Sequence, residues 1–208
     1  MMDRKVLVRA IRHLRQNDPV MAKIIERVDP LHFEHNSEEF ASLLEYIIYQ
    51  QLALVAARKI HERFEALFKS QKLTPQVLLR TPDAKLRQIG LSTRKIGYMK
   101  DLARHVIKGR VNFKKLRELS DEEVIEKLTR VKGIGQWTTQ MFLIFTLGRT
   151  DVLPTGDFGF RKGVQEAYKL SEPPSSRYLL DLAETWRPYR SIATMYIWKN
   201  RRLNMGLQ

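Results

Sequence analysis

Two short runs of the 208-residue sequence carry residue types that could do chemistry. The first is Val131-Lys132-Gly133-Ile134-Gly135-Gln136-Trp137-Thr138. Two glycines flanking one apolar residue allow a tight turn, because glycine accepts positive φ and lets another backbone approach. Ile134 can then plug a core while the amides of Gly133, Gly135 and the next helix's first turn point outward. Open amides at a helix N-terminus bind phosphate, although a run of this kind also makes ordinary helix–helix turns. The second run is Asp151 to Lys162 (DVLPTGDFGFRK). Asp157 follows a glycine at a helix start. It is either an N-cap or a carboxylate kept ionised and fixed by the helix end. The second role suits an enzyme that needs a permanent negative charge beside a developing cation.

Helices must position both runs. Apolar residues recur at three and four positions rather than two, so nearly all of the chain reads as helix. Asp18-Pro19, Thr74-Pro75 and Thr81-Pro82 each pair an N-cap with a proline at the first helical position. Ser37, followed by Glu38 and Glu39, opens a long helix predicted to run to about Leu67. Gly90 ends one helix, and Ser92 starts another that reaches Gly109. Ser120 and Glu123 have capping-box spacing. Asp157, Ser175 or Ser176, and Pro188 begin the last three. About ten short helices make an all-α globule of packed helices, not a long coiled coil.

Composition bounds what these elements can serve. Lys plus Arg is 37 against 23 Asp plus Glu, a formal net charge of +14, and 43% of residues are hydrophobic. That apolar content belongs to a folded protein with a cationic surface, not to a disordered basic tail. Such an excess usually meets nucleic acid, less often an anionic membrane surface. Leu91 to Arg117 alone holds nine basic residues and a single acid, Asp101. Cysteine is absent, which excludes disulfides, thiolate zinc sites, iron–sulfur clusters and cysteine nucleophiles. The histidines lack zinc spacing; His32 and His35 are near one another without a third ligand. No uncharged run approaches the roughly 20 residues that cross a bilayer. Arginines interrupt the apolar residues at the N-terminus, so no signal-peptide core is present. The expectation is a soluble intracellular protein.

With these segments in view, the sequence resembles the helix-hairpin-helix DNA glycosylase superfamily, and within it the DNA-3-methyladenine glycosylase II branch. G-I-G-x-W-T followed by D-V-x-P-x-x-D carries the likeness. Ile47 to Ala53 (IIYQQLA) resembles the family's DNA-facing helix with a Q-x2-3-A pattern. Leu86 to Ala103 resembles its G-[LM]-S-x-x-K segment, and Trp186 to Trp198 its W-x-P-[WY]-R-S…W element. Four segments in order span roughly residues 37–200.

The resemblance implies a two-lobed, all-α bundle with a helix-hairpin-helix motif and a cleft between the lobes. The middle lobe would be residues 40–149, and the second lobe residues 1–39 with 150–208. It implies a monofunctional enzyme that flips an alkylated purine, such as 3-methyladenine or 7-methylguanine, out of duplex DNA and hydrolyses its N-glycosidic bond. Alkylation already makes the base a good leaving group, so no strong general acid is needed. Asp157 would stabilise the oxocarbenium-like sugar or activate water. By likeness, Trp137 and Trp198 would line the base pocket, with Met141 bordering it one turn after Trp137. Leu52 would be the wedge that fills the gap left by the base, next to Gln51. Lys132, Gly133, Ile134 and Gly135 would hold the DNA backbone. Relatives that also nick the strand carry a lysine where Trp137 stands, so lyase chemistry is not expected. No cofactor is required, although the carbonyls of Thr129, Val131 and Ile134 could hold a monovalent cation, Na or K. The expected partner of the monomer is duplex DNA with damaged bases, not a membrane. The compartment would be cytoplasm or nucleoid in a bacterium or archaeon and the nucleus in a eukaryote. The competing reading is a non-catalytic helix-hairpin-helix DNA-binding module, which needs the hairpin and the basic face but neither Asp157 nor the tryptophans.

Overall fold

Capping residues and prolines divide the chain into helices whose apolar stripes face inward, as a computed structural model describes for residues 4–31 and 38–206. Ser37, His32 and His35, named above, lie outside the described residues. Helices α1 (Arg4–Asn17), α2 (Pro19–Arg27), α3 (Glu39–Tyr49), α4 (Leu54–Phe68), α5 (Pro75–Arg80) and α6 (Asp83–Gln88) lead to α7 (Thr93–Ile107). Then follow α8 (Phe113–Leu116), α9 (Asp121–Thr129), α10 (Gln136–Met141), a π-helix (Phe142–Thr146), α11 (Phe158–Ala167) and α12 (Ser176–Ala183). A 3₁₀ turn (Glu184–Trp186) precedes α13 (Arg190–Asn204). The all-α class holds, and no helix among the described residues is long and apolar enough to cross a membrane.

The capping signals mostly did what their chemistry dictates. Asp18 accepts the amides of Val20 and Met21, Thr74 that of Val77, Ser92 that of Lys95 and Ser175 that of Tyr178. Ser120 and Glu123 form a reciprocal capping box. Three expectations need correction. Thr81 does not cap α6; its hydroxyl donates to the Val77 carbonyl and closes α5 instead. Pro188 follows a cis peptide bond and lies outside the last helix, which starts at Arg190. The helix expected to run to Leu67 is two helices, α3 and α4, interrupted at residues 50–53. The periodicity continues through the interruption, but Gln51 takes a φ of 53°, which a helix cannot contain.

The chain forms two compact units, Asn36–Phe142 and Met1–His35 with Leu143–Gln208. The second boundary falls at Phe142, inside the helical run from α10 into the π-helix, instead of at residue 149. In the central unit α7 packs on α3, α5 and α6, and α10 packs on α3 and α9. Leu43, Leu44, Ile47, Ile48, Leu78, Leu86, Met99, Leu102, Val124 and Leu128 are fully buried. In the other unit, α13 packs on α1, α2 and α11. The buried Asp18 carboxylate receives the Trp186 indole N–H at 2.8 Å and the Tyr168 hydroxyl, tying α2 to the segments after α11 and α12. Burial and the hydrogen bond to Asp18 push the Tyr168 hydroxyl well above the usual phenol range. Gly163 sets the closeness of α11 and α13, since an added Cβ would stand 2.5 Å from the Ile197 side chain.

Candidate active site

The hairpin between α9 and α10 is built in the central unit. Ile134 is buried and its amide donates to the Val131 carbonyl at 3.0 Å, closing the turn. Gly133 has a φ of 84°, and an added Cβ would stand 2.0 Å from the Tyr98 ring, so conformation and space both demand glycine. Gly135 differs from expectation. Its φ is −100°, which other residues adopt, and a Cβ would meet nothing within 4 Å. What Gly135 gives the hairpin is therefore an uncovered backbone at the start of α10.

Side chains that the sequence reading left unassigned hold this hairpin. Gln50 donates from Nε2 to the Gly133 carbonyl and to Thr138 Oγ1, each at 2.8 Å. Asp101, the lone acid of the basic stretch, accepts the Lys132 amide at 3.0 Å. Burial raises its carboxyl, but the Lys132 amide, His105 and Arg104 outweigh that and hold it below the usual carboxylate range. Lys95 donates to the carbonyls of Ile48 at 2.6 Å and Gln50 at 2.9 Å, satisfying acceptors at the end of α3. Burial and then Arg94 push its ammonium below the usual lysine range. With α3 ended this way, Gln51 and Leu52 stand in an exposed turn, not on a helix. Arg94 donates to the Gln51 side chain at 3.2 Å, and Leu52 is 40% exposed. A buried helix leucine is thus not what Leu52 is. Lys132 is exposed, Trp137 is half-buried in the first turn of α10, and Met141 is buried.

The carboxylate site is built in the other unit. Arg190 donates from Nε at 2.8 Å to Asp151 Oδ1, and from Nη2 to the Asp151 carbonyl at 2.8 Å and to Oδ2 at 3.0 Å. The Ser191 amide bonds the Thr150 carbonyl at 2.9 Å, and its hydroxyl accepts the Val152 amide at 2.9 Å. The Asp151-Val152 and Arg190-Ser191 motifs, far apart in sequence, are two halves of one clasp. From that clasp the chain turns through Pro154 to Asp157, which caps α11 by accepting the Phe160 amide at 2.6 Å. The same oxygen, Oδ1, accepts the Trp198 indole N–H at 2.8 Å. Phe145 of the π-helix stacks on Trp198, with centroids 5.8 Å apart and planes 23° apart. Neither Phe145 nor the indole–carboxylate bond had a sequence signal, because both depend on how α11, α13 and the π-helix pack.

A model of the HhH-GPD superfamily of base excision DNA repair proteins matches residues 44–188. DNA-3-methyladenine glycosylase 1 of Schizosaccharomyces pombe is 34% identical over 192 residues, covering 91% of this chain and 84% of that one. The structure of the S. pombe 3-methyladenine DNA glycosylase in complex with abasic DNA has a TM-score of 0.84 at 34% identity, covering 92% of this chain and 95% of that one. A DNA-3-methyladenine glycosidase from Bacillus halodurans superposes with a TM-score of 0.78 at 37% identity, covering 96% and 91%. The chain belongs to the HhH-GPD superfamily of base excision DNA repair proteins.

Proposed function

We propose that this protein is a monofunctional DNA glycosylase that removes alkylated purines, 3-methyladenine and 7-methylguanine among them, from duplex DNA. The observation that carries the reading is the Asp157 carboxylate, capped on α11 and held by the Trp198 indole. A cap alone needs only the Phe160 amide, whereas this carboxylate also receives the Trp198 indole N–H. In the reaction, the hairpin amides of Gly133 and Gly135 and the Lys132 side chain hold the DNA backbone, while Ile134, buried with its amide on the Val131 carbonyl, shapes the turn that presents them. Leu52 enters the stack as the damaged nucleotide leaves it, with Gln51 beside it, and offsets part of the few kcal/mol that flipping costs. By the family likeness, Trp137 and Trp198 are each proposed as base-contacting indoles, with Met141 one turn after Trp137. An indole face attracts a cationic base by roughly 0.5–2 kcal/mol, which favours alkylated over normal purines. Asp157 stabilises the sugar cation as the glycosidic bond breaks, and water completes the hydrolysis.

Trp137 supports the absence of lyase chemistry, because an indole cannot form the Schiff base that strand cleavage needs. One chain carries the hairpin, the wedge and the carboxylate, so the proposed active species is a monomer. The Val131 carbonyl accepts the Ile134 amide, and a carbonyl has two lone pairs. The carbonyls of Thr129, Val131 and Ile134 are the donors proposed for Na or K, whose charge would favour a DNA phosphate at the hairpin.

Mass spectrometry of bases released from methylated duplex tests the reading. Wild type releases methylated purines and leaves abasic sites that borohydride does not trap on the protein. Asp157→Asn keeps the capping oxygen and loses the charge, so it folds normally and releases bases on the order of 10²–10³ more slowly. Near-normal release by Asp157→Asn would reduce the residue to a cap and move the catalytic assignment elsewhere, whereas no release by wild type would favour the non-catalytic module.

A further inference from the structure

Trp198 was expected to line the base pocket, and its surroundings give it a further task. One face of the indole is stacked on Phe145, and its N–H is spent on Asp157 Oδ1 at 2.8 Å. Oδ1 also takes the Phe160 amide at 2.6 Å. Two donors on one oxygen, approaching from different helices, leave the carboxylate a single rotamer. The backbone has been trimmed to permit this. A Cβ on Gly159 would stand 3.2 Å from Asp157 Oδ1 and 3.5 Å from the indole nitrogen. At Gly163, one turn further along α11, the contact with Ile197 brings α11 against the helix that carries Trp198. The ring is fixed in turn by Phe145, which lies in the π-helix, and a π-helical segment redirects side chains relative to an α-helix.

We infer that Trp198 is a positioning residue: its indole N–H, braced by Phe145, holds the Asp157 carboxylate in the orientation that meets the sugar cation. The inference rests on the proposed role of Asp157 and extends it. An aromatic ring alone is not enough for this task; a donor at the indole nitrogen is. The consequence falls on the rate of bond cleavage, not on the affinity for DNA.

Replacing Trp198 by benzothienylalanine, in which sulfur takes the place of the N–H, separates the donor from the ring. Trp198→Phe is the second variant, and each is also made in the Asp157→Asn background. Single-turnover release of methylated purine and affinity for abasic-site duplex are measured on the full chain. Loss of the donor lowers the release rate about 10- to 100-fold, the worth of a hydrogen bond to a charged group. Affinity for abasic DNA changes less than about twofold, and the substitution adds no further loss once Asp157 is Asn. A wild-type rate in the benzothienylalanine protein would overturn the inference, even with Trp198→Phe impaired, since the ring and not the N–H would then matter. So would an equal loss in the Asp157→Asn background. If Asp157→Asn itself retains the wild-type rate, the underlying reading of the carboxylate fails, and that result is distinct from either of these. A readout independent of activity is the indole Nε1–H resonance of Trp198, which moves upfield in Asp157→Asn when the charged acceptor is lost. An unmoved resonance would show that the bond does not exist in solution.

Discussion

A leucine at the tip of a turn is costly unless something covers it, and Leu52 is 40% exposed with Leu54 at 42% and Val55 at 58% beside it in sequence. Its backbone is displayed because Gln51 adopts a φ of 53°, ending α3 and turning the chain before α4 begins. Gln50 and Lys95 are the reason the turn is stable: one bonds the hairpin and the other bonds the carbonyls that α3 leaves open. An apolar side chain presented on a fixed turn is suited to replacing a base in the stack. Leu52→Ala is therefore expected to slow excision from duplex on the order of 10-fold and to leave single-stranded substrate within about twofold. Steady release assays on the two substrates check this. Equal losses would mean that Leu52 supports the fold of the turn and nothing else.

Among the elements, the hairpin separates structural glycine from functional glycine. Gly133→Ala puts a Cβ against the Tyr98 ring and a side chain at a φ of 84°. Left-handed strain and overpacking add to about 2–4 kcal/mol of lost stability, read from denaturant midpoints. Gly135→Ala meets no neighbour and no forbidden dihedral, so its stability stays within about 0.5 kcal/mol of wild type. Its expected defect is in binding, because on the proposed role of the hairpin the Cβ would obstruct a phosphate approaching the α10 amides. Affinity for undamaged duplex is expected to fall several-fold for Gly135→Ala at unchanged thermal stability. Unchanged affinity would move the phosphate contact away from α10. The clasp of Asp151 by Arg190 and Ser191 works at the same scale, since it fixes the loop that delivers Asp157 to the start of α11.

For the whole molecule, the net charge of +14 sets how binding responds to ions. Each phosphate neutralised by a lysine or arginine releases a counterion, so the logarithm of affinity falls linearly with the logarithm of salt concentration. Undamaged duplex is expected to bind with a steep negative slope in a salt titration. With the role proposed for Asp157, the catalytic step does not draw on surface cations and is expected to keep its single-turnover rate at saturating protein. A flat titration would mean that the basic stretch from Leu91 to Arg117 serves only solubility. The chain's membership of the HhH-GPD superfamily fits this division, with the hairpin and the nine basic residues in the central unit and the carboxylate in the other.

What could be read without coordinates was local or patterned. Caps such as Asp18, Thr74, Ser92, Ser120 and Ser175 act over three residues, and the apolar repeat acts over one helix, so both are written in adjacent letters. Ile134 as a plug and Asp157 as a cap were legible for the same reason. Lys95, the Arg190-Ser191 pair and Gln50 were visible as members of motifs, but nothing in the letters said what they hold. The break at Gln51 was invisible, because a residue outside the glycine, asparagine and aspartate group seldom turns left-handed without partners to stabilise it, and those partners come from α7 and the hairpin. Only the tertiary structure decided that Trp198, backed by Phe145, meets Asp157. They are separated from it by 41 and 12 positions, and their meeting is set by the close contact of α11 with α13 and by a π-helix, both products of packing.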